Sequence, residues 1–124
     1  MAVTVIVVDD DARFRDLARR MLSSWGFTAE SEAATVAGAL RQVTQSRPDV
    51  ALVDIGLPDG DGLHLSRELT GDPWRMRVIL VSADSDASSA ADAAEVGALA
   101  FIPKSELSSA LLHAVIGDGG ADDR

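Results

Sequence analysis

Five short, mostly apolar runs, each leading into a polar or charged residue, set the limits on how this chain can fold. Thr4-Val5-Ile6-Val7-Val8 stops at Asp9-Asp10-Asp11, Val50-Ala51-Leu52-Val53 stops at Asp54, and Arg77-Val78-Ile79-Leu80-Val81 stops at Ser82. Leu99-Ala100-Phe101-Ile102 leads into Pro103 and Lys104, and a more polar run covers Phe27 to Glu32. Runs this short and this rich in β-branched residues read as strands. Their near-continuous apolarity marks strands covered on both faces.

Helical stripes fill the intervals. From Phe14 the apolar residues recur at Leu17, Ala18, Met21, Leu22 and Trp25, and Gly26 supplies the stop. Thr35 is placed to cap a second helix carrying Val36, Leu40 and Val43, which ends before Pro48. Leu63, Leu65 and Leu69 mark a third, closed by Gly71 and Pro73. Asp84 to Val96 is rich in Ala and Ser, so a weakly anchored fourth helix is expected there. Ser105 is expected to cap a last helix bearing Leu107, Leu111, Ala114 and Val115, and residues 118–124 read as a flexible polar tail behind a domain covering 1–117.

Strands alternating with helices give an α/β fold, a five-stranded parallel sheet with helices on both faces. The polar second strand belongs at an edge, which selects the flavodoxin-like order 2-1-3-4-5. A length of 124 residues suits one domain, and no apolar run approaches the ~20 residues of a membrane span. The amino terminus lacks the basic segment of a secretory signal, and there is no cysteine, so a cytoplasmic location is expected. A net charge of −9 argues against direct nucleic-acid binding by this domain.

In an open parallel sheet ligands sit beyond the carboxyl ends of the strands. Four strands deliver Asp9 and Asp10, Asp54, Ser82 and Lys104 to that edge. Carboxylates gathered there raise one another's affinity for protons, and a divalent cation relieves the repulsion. An all-oxygen donor set suits Mg2+, with Mn2+ also fitting, rather than zinc. A hard cation beside a carboxylate and a lysine is also an arrangement for phosphoryl transfer, with Asp54 as the nucleophile that forms an acyl phosphate.

Taken singly, each residue has a plainer reading. Asp9 to Asp11 can be acids at a helix start, Asp54 an Asx turn, Ser82 a cap and Lys104 a solvated surface residue. Joint placement at four strand ends is what favours a site. Asp11 leaves a register one residue later open, and the strand's end at Val8 favours Asp9 and Asp10. His64 and His113 read as surface residues, and Trp25 and Trp74 as structural ones at the opposite end of the sheet.

The chain resembles the receiver domain of two-component response regulators over residues 3 to 116. The resemblance is carried by Asp9-Asp10 after a valine-rich strand, Asp54 followed by Leu57-Pro58-Asp59-Gly60-Asp61-Gly62, Ser82-Ala83, and Phe101 three residues before Lys104. It implies that Asp54 accepts phosphate from a histidine kinase. It further implies that Asp10 and Asp54 bind Mg2+ directly, with Asp9 acting through water and the Gly56 carbonyl completing the protein ligands. Ser82 would hold a phosphoryl oxygen, Lys104 would pair with the phosphate, and Phe101 would be the switch aromatic that follows the serine. Ala83 is small, as access to such a site requires. The family often follows its lysine with proline, whereas here Ser105 follows and Pro103 precedes.

The resemblance implies control of an output through the surface of the fourth helix, fifth strand and fifth helix. It also admits a phosphorylation-dependent dimer. The ending Phe101-Ile102-Pro103-Lys104-Ser105 is similar to receivers that precede DNA-binding domains, which implies an output domain of that kind in the same parent chain. No membrane partner is expected. The alternative is a Mg2+-dependent phosphohydrolase with an aspartyl-phosphate intermediate. Such enzymes usually carry an acid two residues after the nucleophile, where this chain has Gly56, so a signalling module rather than an enzyme is expected.

Overall fold

The computed structural model describes residues 3–83 and 88–117. The sheet strands are β1 (Thr4–Val8), β2 (Thr28–Ala33), β3 (Val50–Asp54), β4 (Arg77–Ser82) and β5 (Ala100–Pro103). The helices are α1 (Ala12–Ser24), α2 (Val36–Ser46), α3 (Gly62–Thr70), α4 (Ser88–Glu95) and α5 (Ser109–Ile116). All pairings in the main sheet are parallel and run β2-β1-β3-β4-β5, the order expected from the sequence. A hairpin with arms Gly56–Leu57 and Gly60–Asp61 lies between β3 and α3.

Successive side chains of a strand point to opposite faces, so each apolar strand feeds two cores. Ile6, Val8, Ala51, Val53, Val78 and Leu80 pack with residues of α2, α3 and α4. Val5, Val7, Leu52, Ile79 and Ile102 pack with Phe14, Ala18, Leu22, Leu112 and Ile116 of α1 and α5. The edge strand β2 is exposed at Thr28 and Glu30, half-buried at Ala29 and Glu32, and buried at Ser31 and Ala33, which is why it reads as polar in sequence.

Local chemistry fixes the ends of the helices. The Asp11 carboxylate accepts from the N–H groups of Arg13 and Phe14 and caps α1. Thr35 caps α2 as expected, and Asp61 caps α3. Two expectations need correction. Ser105 does not cap the last helix: Lys104–Glu106 form a 3-10 turn, Leu107 is extended, and Ser108 caps α5 through the Leu111 N–H. His113 is not a plain surface residue: its Nε2 lies 2.9 Å from the Trp25 carbonyl and its ring stacks on Phe27 at 4.7 Å. His64 is exposed, as expected. The expected beginning of the fourth helix, residues 84–87, and the tail, 118–124, lie outside the described residues.

Candidate functional site

Because every strand of the sheet runs the same way, the last residues of β1, β3, β4 and β5 meet at one edge. Asp9 follows β1 and is completely buried. Its backbone N–H continues the ladder to the Ala33 carbonyl at 2.9 Å. Its Oδ1 accepts from the Asp11 N–H at 2.8 Å. Its Oδ2 lies 2.6 Å from Lys104 Nζ, yet receives no well-directed hydrogen bond, so a buried lone pair is held by charge alone. Asp10 is exposed beside it.

Asp54 ends β3 with 8% of its surface exposed. Carboxylate oxygens of Asp9, Asp10 and Asp54 lie within 4.8 Å of one another. Burial pushes the Asp54 carboxyl up to about 6, with the Asp9 carboxylate adding to the rise and Asp10 adding less. Lys104, 4.0 Å away, and the Gly56 N–H pull it the other way.

The loop after Asp54 is pinned in three ways. The Gly62 N–H donates to the Ile55 carbonyl at 2.7 Å. The Asp59 carboxylate accepts from the N–H groups of Val36 and Ala37 at 2.7 and 3.1 Å, tying the hairpin to the start of α2 and holding Asp59 below the usual carboxylate range. At Gly62 a Cβ would collide with the Asp54 carbonyl and come within 2.8 Å of Ile55 Cα, so only glycine lets α3 start this close to the end of β3.

Each expected site residue thus has a definite place. Asp9, Asp10, Asp54 and Lys104 are brought together. Ser82, half-buried, ends β4 alongside Pro103, and Ala83 follows it, exposed. Gly56 is exposed in the loop beyond Asp54, and Phe101, half-buried on β5, packs against the α2–α4 core. Two further residues reach the site without having been marked in the sequence. Arg15 Nη1 donates to the Asp9 carbonyl at 2.8 Å while its Nε bonds Glu32 at 2.7 Å. The Phe14 ring faces Lys104 Nζ at 4.3 Å. Phe14 was visible as the first residue of the α1 stripe, but a stripe reports the core and not which cation crosses its edge.

A family model for the response regulator receiver domain matches residues 5–116. The response regulator MprA of Mycobacterium tuberculosis is 33% identical over 104 residues, which is 84% of this chain and 45% of MprA. The chemotaxis protein CheY of Bacillus subtilis is 31% identical over 115 residues, 93% of this chain and 96% of CheY. Among solved structures, the signal receiver domain of NarL from Mycobacterium tuberculosis superposes with a TM-score of 0.81 at 31% identity, covering 94% of this chain and 98% of that one. The chain therefore spans about half the length of curated relatives such as MprA and nearly all of CheY. With a match running from the first strand to the last helix, and the sheet order that goes with it, the chain belongs to the response regulator receiver domain family of two-component signalling.

Proposed function

We propose that this receiver accepts a phosphoryl group on Asp54 from a histidine kinase and passes the change to the surface of α4, β5 and α5. The observation that carries the reading is the Asp54 carboxylate: nearly buried, crowded by two other carboxylates, and 4.0 Å from Lys104. Its raised proton affinity says that a positive partner is wanted there.

The donor set fits a hard divalent cation. Three carboxylates converge, Asp9 Oδ2 is buried without a directed hydrogen bond, and no cysteine or histidine takes part. Asp10, Asp54 and the Gly56 carbonyl would hold Mg2+ directly and Asp9 through water. Bound there, Mg2+ supplies charge neutralisation for the oxygens of the transferring group. The chain's own residues do the rest. An Asp54 carboxylate oxygen bonds to phosphorus as the bond from phosphorus to the donor breaks, the donor leaving with the electron pair. Lys104 pairs with one phosphoryl oxygen and the Ser82 hydroxyl donates to another, while Ala83 leaves the approach open. Ser82 drawn inward vacates space into which Phe101 turns, two arrangements that convert a local charge into a different partner surface.

Receiver domains are signalling modules rather than enzymes in the ordinary sense. Turnover of phosphate esters has little support in this chain, since Gly56 offers no acid two residues beyond Asp54. The half-length match to MprA and the β5 ending support an output domain in the parent chain, DNA-binding by the same resemblance. A cytoplasmic setting follows from the kinase partnership. Among the described residues no helix is long and apolar enough to cross a membrane. The test is incubation with acetyl phosphate and Mg2+, read by intact-mass spectrometry. The wild-type chain should gain one phosphoryl group, and Asp54→Asn none. Stoichiometric labelling of the variant would remove Asp54 from this role.

A further inference from the structure

Lys104 is the single lysine of the chain, and among the described residues its ammonium is near Asp9 Oδ2 at 2.6 Å, Asp54 Oδ2 at 4.0 Å and the face of Phe14 with its centroid at 4.3 Å. We propose that Phe14 is a positioning residue for Lys104, its ring face holding the ammonium between the two carboxylates on the side from which a phosphoryl group is met. The rate measurement below rests on the phosphoacceptor reading of Asp54, and the spectroscopic one does not.

The two kinds of neighbour act differently. A carboxylate attracts the ammonium with a full charge, so a lysine held only by Asp9 has to leave that pairing before it serves another anion. A ring attracts the cation through its quadrupole, without a lone pair to displace, and it excludes water from the side it covers. Lys104 is set up for this, with 17% of its side chain exposed. The ring cannot drift away. Phe14 lies in the first turn of α1, where its own N–H is taken by the Asp11 cap, and it packs into the core with Ala18 and Leu22. The ring therefore fixes where the ammonium stands while leaving its N–H bonds, none of them well directed at Asp9 Oδ2, free to turn to an arriving phosphoryl oxygen. Leucine or methionine would fill the same space and supply no such attraction.

The test exploits the single lysine. Selective carbon-13 labelling of lysine gives one set of resonances, and the protons on Cε of Lys104 should lie upfield of the free amino-acid position because of the ring current. Phe14→Leu should abolish that displacement and Phe14→Tyr should keep it. With acetyl phosphate and saturating Mg2+, Phe14→Leu should acquire label about threefold to tenfold more slowly, the loss of one cation–π contact, while Phe14→Tyr stays close to wild type. Mg2+ affinity, read by calorimetry, should be unchanged in both, since Phe14 touches no metal-binding oxygen. Should Phe14→Leu not fold, Phe14→Met carries the same measurements. An undisplaced Lys104 signal in the wild type overturns the proposal, as does an unchanged rate in Phe14→Leu or an equal slowing of Leu and Tyr variants. Absence of label on the wild-type chain overturns the phosphoacceptor reading instead, and the lysine resonances then decide the ring contact alone.

Discussion

The helices α1 and α4 both lead away from the carboxyl edge of the same sheet, and they are held to it very differently. α1 buries Phe14, Ala18 and Leu22. It is also tied to the edge strand by Arg15 and Arg19, which share the carboxylate of Glu32 at 2.7 and 2.8 Å. Among the described side chains of α4 and its exit, those buried are Ala93 and Val96, and the one tie to a neighbouring helix is the Thr70 hydroxyl donating to the Val96 carbonyl at 2.8 Å. Alanine removes far less apolar surface from water than leucine or phenylalanine, so α4 sits on the sheet with much less hydrophobic stabilisation. The acid-bearing half of the site, Asp9 and Asp54, therefore belongs to the rigid side. Ser82 and Phe101 belong to the side where an element opens more easily. A switch needs that division: one part fixed enough to do chemistry, another loose enough to have two arrangements.

The strongest way to break the comparison is to disturb the rigid side where it has no slack. Gly62→Ala should cost about 3 kcal/mol or more, because the added carbon meets backbone and not a flexible side chain. Gly56→Ala in the same loop, with nothing within 4 Å, should change stability by less than ~0.5 kcal/mol. Urea melts of the two variants check both. Next in size is the direct contrast between the helices. Leu22→Ala should cost about 2–5 kcal/mol and Val96→Ala about 1–2 kcal/mol, and hydrogen exchange should show α4 amides opening at a lower free energy than those of α1. Equal protection of the two helices would end the comparison.

Most of this division could be read in the sequence, because it rests on patterns with a short reach. The β-branched runs, the stripe from Phe14 to Trp25 and the alanine-rich stretch before Val96 each report their own burial. So did the strand-end residues, since a parallel sheet puts all its carboxyl ends at one edge. What escaped depends on residues far apart in the chain. The pairing of His113 with the Trp25 carbonyl spans 88 positions, and nothing in either segment announces it. Nothing within α1 marks Arg15, and only the fold brings Glu32 and the Asp9 carbonyl to it. Ser105 failed as a cap for a local reason. A 3-10 turn consumed the residues after Lys104, and an equally good capping residue, Ser108, stood three positions on.

The rigid side should also hold electrostatic strain, and pH measures it. The Asp54 carboxyl titrates at about 6 in the fold against 3.8 in the free side chain, so the folded chain holds this proton more tightly than the unfolded one. Its contribution is fully present below about pH 4 and is lost as pH rises through about 6, at most about 3 kcal/mol in all. Above that range the fold carries a buried charge crowded by two others. Asp54→Asn should accordingly raise the thermal midpoint of the metal-free chain at pH 7.5, and the gain should vanish near pH 4. A variant with no gain at neutral pH would mean that Lys104 alone already compensates the crowding.

The smallest effect tests whether charge contributes to the anchoring of α1 at all. Glu32 accepts from Arg15 and from Arg19, but 37% of its side chain is exposed, so water and salt screen both pairs. Glu32→Gln keeps the shape and one accepting oxygen while removing the charge, and should cost about 1 kcal/mol or less. Arg15 would still donate to the Asp9 carbonyl, so the acidic loop should stay in place. The loss should shrink at high salt, because an exposed pair is weakened by ions in a way that the Phe14, Ala18 and Leu22 contacts are not. A double-mutant cycle with Arg19→Gln separates the pair from the helix itself. If Glu32→Gln is neutral at low salt, the apolar stripe alone distinguishes α1 from α4, and the two arginines add nothing to the difference.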